Sequence, residues 1–137
     1  MDDRPKGLVL DTNVLVSGIL SPYGPPGRIL ALVLSGELAA AYDARILSEY
    51  LEVLSRPEFG FSGSHVEAVL TSIQEDGTPV TGRPLPVGLP DPSDEPFLEV
   101  AIAAAVGLVT GNLRHFPSRL RAGVRVVSPR EFLEMLR

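Results

Sequence analysis

The sequence predicts an α/β fold with a central, mostly parallel sheet and helices on both of its faces. Short apolar runs typical of buried strands alternate along the chain with segments of helical periodicity, and this order favours a parallel sheet. With 137 residues and 45% hydrophobic composition, the chain can build one core but is short for two domains of ordinary size. We therefore expect one domain over residues 1–137.

The first half of the chain contains two predicted strands and four predicted helices. The first strand is a continuous apolar run, as expected for a strand that is buried on both faces. The second is predicted as a strand although it is rich in alanine, which favours helix. The helices show apolar residues at helical spacing and end near proline or glycine. In chain order, these elements are strand 7–10, helix 14–20, helix 28–35, strand 38–42, helix 46–54 and helix 64–73.

The second half opens with a long connection, residues 77–92, which is rich in proline and glycine and holds a possible short strand at 79–81. Connections of this length are often functional or mobile. We expect Ser93 to cap a very apolar helix that ends near residue 106, and Pro129 to open a final helix. Two further strands are predicted at 106–110 and 124–127.

Composition excludes several classes of protein. The chain has no cysteine, so disulfides, thiolate zinc sites and cysteine nucleophiles are excluded. Its net charge of -5 argues against nucleic-acid binding through an overall basic surface, but a nuclease with a cluster of cation-binding acids stays possible. The start is acidic and no apolar run approaches the ~20 residues of a membrane span. We expect a soluble cytoplasmic protein without a membrane partner.

Two acidic residues of the first half are candidates for a functional site. Asp11 directly follows the first strand, and open α/β sheets bind ligands beyond the carboxyl ends of their strands. The alternative is a helix cap, although Thr12 and Asn13 also offer one. Glu49 lies among the apolar positions of helix 46–54, where a glutamate must be paired, bound to metal or at the edge of the core. Glu52, on the polar side of that helix, is expected to be solvated.

Two segments of the second half add further oxygen ligands. Residues 91–95 contain three acids at a helix start, where the helix dipole favours acids in any case. Because the helix behind them is apolar and must be buried, we expect Asp94 to point inward and Asp91 to support it. Asn112 can supply a neutral oxygen or position water, unless it is only a turn residue. Thr110 can hydrogen-bond a neighbouring carboxylate.

This set of oxygen atoms suits a hard cation such as Mg²⁺ or Mn²⁺, which can activate water and neutralise charge on a phosphate. The two histidines do not match a zinc site: His65 is expected to be solvated, and His115 could touch the acids but lacks a partner at ligand spacing. A nucleophile elbow for serine hydrolase chemistry and a glycine-rich phosphate loop are both missing.

Four segments, in this order, resemble the motifs of PIN domains, and most of all the branch described as toxins of bacterial toxin–antitoxin systems. No single one is specific, but the ordered set spans nearly the whole chain. The segments are Leu-Asp-Thr-Asn-Val-Leu-Val-Ser at 10–17, Leu-Ser-Glu-Tyr-Leu at 47–51, residues 91–98 with the following Ala101, and Val-Thr-Gly-Asn at 109–112.

The resemblance implies a three-layer α/β/α fold that cleaves single-stranded RNA with Mg²⁺ or Mn²⁺, an antitoxin partner and a homodimer. It maps three family acids onto Asp11, Glu49 and Asp94 as catalytic metal ligands. The fourth family acid commonly follows Thr-Gly, and here that position is Asn112, which leaves a second metal position open. We assign supporting roles to Thr12, Asn13, Asp91 and Thr110, and phosphate contacts to Arg56, Arg114 and Arg28.

Two alternatives remain at this level. The first is a catalytically weak or inactive PIN-like module that binds RNA or a protein partner, which the Asn112 departure favours. The second is a phosphoacceptor receiver domain, which also places an acid after its first strand. That fold needs a lysine after its last strand, whereas Lys6, the single lysine, precedes the first strand.

Overall fold

The computed structural model describes residues 2–137, which form five strands and six helices. All the strands are parallel, and four short 3₁₀ turns interrupt the connections. The strands are β1 (Gly7–Leu10), β2 (Ala39–Tyr42), β3 (Thr78–Pro79), β4 (Gly107–Val109) and β5 (Val126–Val127). The helices are α1 (Thr12–Leu20), α2 (Pro25–Leu34), α3 (Ala44–Leu54), α4 (Gly63–Asp76), α5 (Glu95–Ala104) and α6 (Pro129–Met135). The 3₁₀ turns are Pro57–Phe59, Pro92–Asp94, Leu113–His115 and Ser118–Leu120.

The sheet is covered on both faces, so the predicted three-layer α/β/α fold is confirmed. Its strand order is β3-β2-β1-β4-β5. Helix α5 packs across β1, β2 and β4, whereas α2 packs against α1, α4 and α6. None of the helices in residues 2–137 combines the length and apolar character that crossing a bilayer requires.

Strand β1 lies at the centre of the sheet, and Leu8, Val9 and Leu10 are fully buried. From β1 the chain first proceeds to β2 on one side and later returns to β4 on the other. The strand order therefore reverses between β1 and β4, the position at which open α/β sheets form a ligand crevice. Asp11 leaves β1 directly into this crevice, and its backbone N–H donates a 2.9 Å hydrogen bond to Val109 O.

Several features differ from the prediction, and for two helices the reason lies in their first residues. Helix α2 begins at Pro25 instead of 28, because Pro25 and Pro26 occupy the first helical positions, where a missing N–H costs nothing. Helix α3 begins at Ala44, since the Asp43 side chain caps it by accepting from Ile46 N. Strand β3 is at Thr78–Pro79 instead of 79–81. Leu51, expected in the apolar stripe of α3, is 53% exposed.

Candidate active site

Asp11 lies at the carboxyl end of β1 and is buried. It occupies the N-cap position of α1, but its side chain accepts no capping hydrogen bond. Instead, Thr110 Oγ1 donates a 2.8 Å hydrogen bond to Asp11 Oδ2 from the end of β4. Burial raises the pKa of the Asp11 carboxyl, and the hydrogen bond from Thr110 opposes that rise. Asp11 therefore stands at the cap position of α1 while its carboxylate is bound by the neighbouring strand, so the two interpretations are compatible.

Glu49 faces the same edge of the sheet from α3 and is half-buried. Thr12 Oγ1, in the first turn of α1, donates a hydrogen bond to Glu49 Oε2. Burial raises the pKa of Glu49, and the negative charge of Asp11 adds to the rise, while the Thr12 hydroxyl opposes it. Glu52, three residues later, is exposed and pairs with Arg56 at 3.0 Å, so its expected solvation is confirmed.

Asp94 is buried at the point where the turn Pro92–Asp94 joins α5. Burial and the charge of Asp11 raise the pKa of Asp94 to about 6. His115 Nδ1 lies 3.0 Å from Asp94 Oδ2, close enough for attraction when the ring is protonated. Within residues 2–137, however, this buried oxygen has no partner of hydrogen-bonding geometry.

The negative charge of Asp11 raises the pKa values of Glu49 and Asp94, and the charge of Glu49 also raises the pKa of Asp94, although the three residues are far apart in sequence. Three carboxylates held near one another with little water repel each other, which disfavours the simultaneous ionisation of all three. The three acids predicted from the sequence thus share one edge of the sheet.

Two of the predicted supporting residues, Thr12 and Thr110, hydrogen-bond carboxylates of the site, whereas Asn13 makes a different contact. Thr12 and Asn13 were candidate helix caps, but both lie inside the first turn of α1. Asn13 Oδ1 accepts a 3.0 Å hydrogen bond from Gly111 N, so it ties α1 to the loop after β4. Thr110 contacts Asp11, as its predicted role requires, and its Oγ1 also accepts from Asn112 N at 3.0 Å.

Asp91 and Asn112 both serve local turns. Asp91 is exposed, and its Oδ1 accepts 2.9 Å and 2.7 Å hydrogen bonds from Ser93 N and Ser93 Oγ, which lower the pKa of Asp91. The prediction that Ser93 caps the following helix is therefore wrong; Asp94 precedes α5 and Ser93 lies inside the 3₁₀ turn. Asn112 Oδ1 accepts a 3.2 Å hydrogen bond from Arg114 N, as a turn residue does.

The three arginines proposed for phosphate contacts are all exposed. Arg56 pairs with Glu52. Over the described residues, Arg28 and Arg114 form no ion pair, and none of the three arginines pairs with Asp11, Glu49 or Asp94. Arg114 lies on the turn Leu113–His115, next to the histidine that contacts Asp94.

His115 approaches Asp94, in line with the indication from the sequence that it could touch the acids. Two other residues with roles at or near the site were not identified from the sequence. Tyr50 is fully buried and donates a 2.5 Å hydrogen bond to Leu10 O at the end of β1. Glu99 is 4% exposed on α5 and pairs with Arg45 at 2.6 Å. An acid inside the apolar helix after residue 95 was the signal for Glu99.

The donor chemistry of this edge fits a hard divalent cation. Asp94 Oδ2 is a buried carboxylate oxygen without a hydrogen bond, and a nearby cation would relieve the mutual repulsion of the acids. Across residues 2–137, no three acidic, histidine or cysteine side chains are grouped so that they alone could hold one ion. Magnesium, however, takes one or two carboxylates and fills the other positions with water and phosphate oxygens.

Comparison with known proteins gives two matches. A family model described as "PIN domain" matches residues 7–114, which include all the acids described above. An uncharacterized protein of Methanocaldococcus jannaschii is 26% identical over 138 aligned positions, which cover 93% of this chain and 89% of that protein.

Proposed function

Because the chain belongs to the PIN-domain family, whose members are generally nucleases and typically use divalent metal ions, we propose that it is a metal-dependent endoribonuclease that cuts single-stranded RNA. The observation that carries this proposal is the placement of Asp11, Glu49 and Asp94 around the switch point of the sheet, where each acid contacts α1, the end of β4 or the turn that follows β4. Acids far apart in sequence and brought together at a ligand crevice are poorly explained by folding stability, since their mutual repulsion opposes it.

In this proposal Mg²⁺ or Mn²⁺ would bind at the edge formed by Asp11, Glu49 and Asp94, with one or two of these carboxylates as direct ligands and with water and phosphate oxygens in the other positions. When bound, the ion would supply Lewis-acid chemistry, lowering the pKa of water and neutralising charge on the scissile phosphate. The hydroxyls of Thr110 and Thr12 orient the carboxylates of Asp11 and Glu49.

Matched variants on one helix test the proposal. Glu49→Gln removes a proposed ligand, whereas Glu52→Gln makes the same chemical change one helical turn away on the exposed side of α3. We expect Glu49→Gln and Asp11→Asn to reduce Mn²⁺-dependent cleavage of a single-stranded RNA by at least about 100-fold, and Glu52→Gln to retain it. Cleavage that persists in EDTA, or that is equal in Glu49→Gln and Glu52→Gln, would contradict the assignment.

A second candidate is a PIN-like module that binds RNA or a protein with little or no cleavage. Two observations favour it: Asn112 stands where the family commonly has an acid, and its side-chain oxygen is engaged by Arg114 N. Calorimetric titration with Mn²⁺ separates the two candidates. Binding at micromolar to low-millimolar metal that is lost in Asp11→Asn supports the nuclease, whereas a lack of binding supports the inactive module.

The proposal extends to the role of a toxin in a toxin–antitoxin module, with a homodimer, an antitoxin partner and a cytoplasmic location, and it treats residues 1–137 as one domain. The support for these points is the resemblance of the four ordered motifs to that branch of PIN domains. Induced expression should arrest bacterial growth in the wild type but not in Asp11→Asn, and co-expression of a small neighbouring gene should restore growth. Light scattering of the purified protein measures the oligomeric state.

A further inference from the structure

The last part of the chain carries a charge opposite to that of the rest. Residues 114–137 contain six of the 12 basic residues and two of the 17 acidic residues, which gives this segment a net charge of +4 in a chain of -5. The preceding residues therefore carry -9. Such segregation within one small chain produces a local positive potential that the overall composition hides.

The arginines of this segment are available to a ligand. Within the described residues, none of the six forms an ion pair, although Arg4, Arg45 and Arg56 elsewhere in the chain do. Arg121 is half-buried and donates a 2.8 Å hydrogen bond to Phe116 O, so its role is structural. The other five are exposed: Arg114, Arg119, Arg125, Arg130 and Arg137.

Four of these arginines lie in the segment that runs from the end of β4 through the edge strand β5 into α6. Arg125 directly precedes β5, the edge strand, and Arg130 follows it in the first turn of α6. Arg119 lies on the turn Ser118–Leu120. Arg114 lies beside His115, which contacts Asp94. We call Arg114, Arg119, Arg125 and Arg130 the β5 edge.

The β5 edge also extends away from the acids. Arg125 lines a cavity of ≈ 440 Å³ together with Ala105 and Gly107, at the amino end of β4. Asp94 and Thr110 lie towards the opposite end of the same strand. The arginines are thus distributed along the height of the sheet instead of clustering at one point.

We propose that the β5 edge binds the phosphate backbone of single-stranded RNA on one side of the cleaved bond; this inference rests on the proposed nuclease function. A crowded acidic site repels RNA, so a neighbouring cationic surface is needed to bring the backbone there. Arginine suits the task because its planar guanidinium can bind phosphate through two hydrogen bonds. Protection of the sheet edge from strand pairing is a weaker explanation, because β5 has only two residues.

Binding measured without metal tests this proposal separately from cleavage. Fluorescence anisotropy with a labelled single-stranded RNA in EDTA compares the wild type with Arg119→Gln/Arg125→Gln. The matched control is Lys6→Gln/Arg83→Gln, which removes the same charge from two exposed basic residues far from β5 in sequence. We expect the β5-edge variant to bind RNA at least about fivefold more weakly at 50 mM salt, and the slope of log K against log salt to shrink by about 1.4.

Several outcomes would overturn the proposal. Equal losses in the two double variants would mean that overall charge, and not the β5 edge, governs binding. No measurable RNA binding by the wild type would also overturn it. Weakened binding of polyglutamate with unchanged RNA binding would assign the surface to an acidic protein, and self-association of the variant with unchanged RNA binding would assign it to edge protection.

A cleavage assay in Mn²⁺ then tests the RNA-binding surface separately from the proposed nuclease function. If the wild type binds RNA through the β5 edge but does not cut it, the nuclease proposal fails and the binding surface stands. If it cuts RNA and the two double variants are indistinguishable in binding, the nuclease stands and the binding surface fails.

Discussion

Thr110 Oγ1 donates a 2.8 Å hydrogen bond to Asp11 Oδ2, and both side chains are buried although 99 positions separate them. The bond joins the carboxyl ends of β1 and β4, the two strands that flank the switch point of the sheet. The orientation of Asp11 therefore depends on a hydroxyl from the neighbouring strand, which need not touch RNA itself.

Thr110→Val removes this hydroxyl and keeps the shape of the side chain. We expect RNA cleavage to fall by about 10- to 100-fold, the range typical of residues that orient metal ligands. The acidic limb of the pH–rate profile should move to higher pH, because the hydrogen bond that opposes the raised pKa of Asp11 is lost. Thr110→Ser keeps the donor and should keep most of the activity. A Thr110→Val profile that overlies that of the wild type would exclude the orienting role.

Asp94 should make the stability of the metal-free protein depend on pH in an unusual direction. Its pKa is raised from 3.8 to about 6 on folding, so the native state binds this proton more tightly than the unfolded state. The associated stability is present below pH 4 and is lost as pH rises through 6. The Asp94→Asn variant has no carboxyl group to ionise at this position, so its stability does not fall for this reason as the pH rises. Urea unfolding in EDTA should show the variant to be more stable by about 1–3 kcal/mol at pH 7.5, with little difference near pH 4.

Asp91→Asn should change the stability of the protein in the opposite direction. Hydrogen bonds from Ser93 lower the pKa of this exposed carboxyl on folding, so its contribution is present above the unfolded pKa and is lost as pH falls. The variant should therefore be less stable than the wild type at neutral pH and similar at low pH. If Asp91→Asn and Asp94→Asn change stability in the same direction at pH 7.5, general charge reduction explains the data better than the local surroundings of each acid.

Much of the fold could be predicted because the relevant patterns are local. The apolar run of β1 and the helical spacing of α3 each fit within about ten residues, and both elements were found. The four 3₁₀ turns were not predicted, since three residues are too few to show a period. The capping error at Ser93 arose because Asp91 accepts from Ser93 N and Ser93 Oγ, and Ser93 therefore lies inside the 3₁₀ turn that precedes α5.

The site was predicted less completely, because side-chain partners are not local. The sequence identified Glu49 as an acid among apolar positions, but the hydroxyl that binds it belongs to Thr12, 37 positions away. The partner of Glu99 is equally distant in sequence, because Arg45, which pairs with it, is 54 positions away. A buried acid can be recognised in a sequence, whereas the partner that makes its burial tolerable appears only once the chain is folded.

Metal binding should stabilise the protein and should weaken as pH falls. Mn²⁺ at about 100 times its dissociation constant adds about 2.7 kcal/mol, which corresponds to roughly 5–10 °C in Tm for a chain of this length. Protons compete with the ion for carboxylates whose pKa values are raised, so the increase should be clearly smaller at pH 5 than at pH 7.5. Differential scanning fluorimetry at both pH values measures the Mn²⁺-dependent increase in Tm.

The control for this experiment is the response of two variants to the same metal. Asp11→Asn should lose the Mn²⁺-dependent increase in Tm, whereas Glu52→Gln should keep it, since Glu52 is exposed and paired with Arg56. An increase of equal size in the wild type and in Asp11→Asn would mean that the ion binds elsewhere on this acidic chain.

Glu99 should be important for stability and should affect cleavage only through the fold. It is 4% exposed, pairs with Arg45 at 2.6 Å, and its Oε2 accepts a 2.8 Å hydrogen bond from Leu85 N in the long connection that leads to Asp91. Glu99→Ala leaves that N–H and the guanidinium without their acceptor. We expect a loss of about 2–4 kcal/mol in the free energy of unfolding.

The companion measurement is amide hydrogen exchange of the connection. In Glu99→Ala, the Leu85 amide should lose its protection while β1 amides keep theirs, because the connection is released without opening the sheet. Glu67→Ala, at an exposed position of α4, should change stability by no more than about 0.5 kcal/mol. If Leu85 stays protected in Glu99→Ala, then packing of the connection, and not the hydrogen bond to Glu99, holds it on α5.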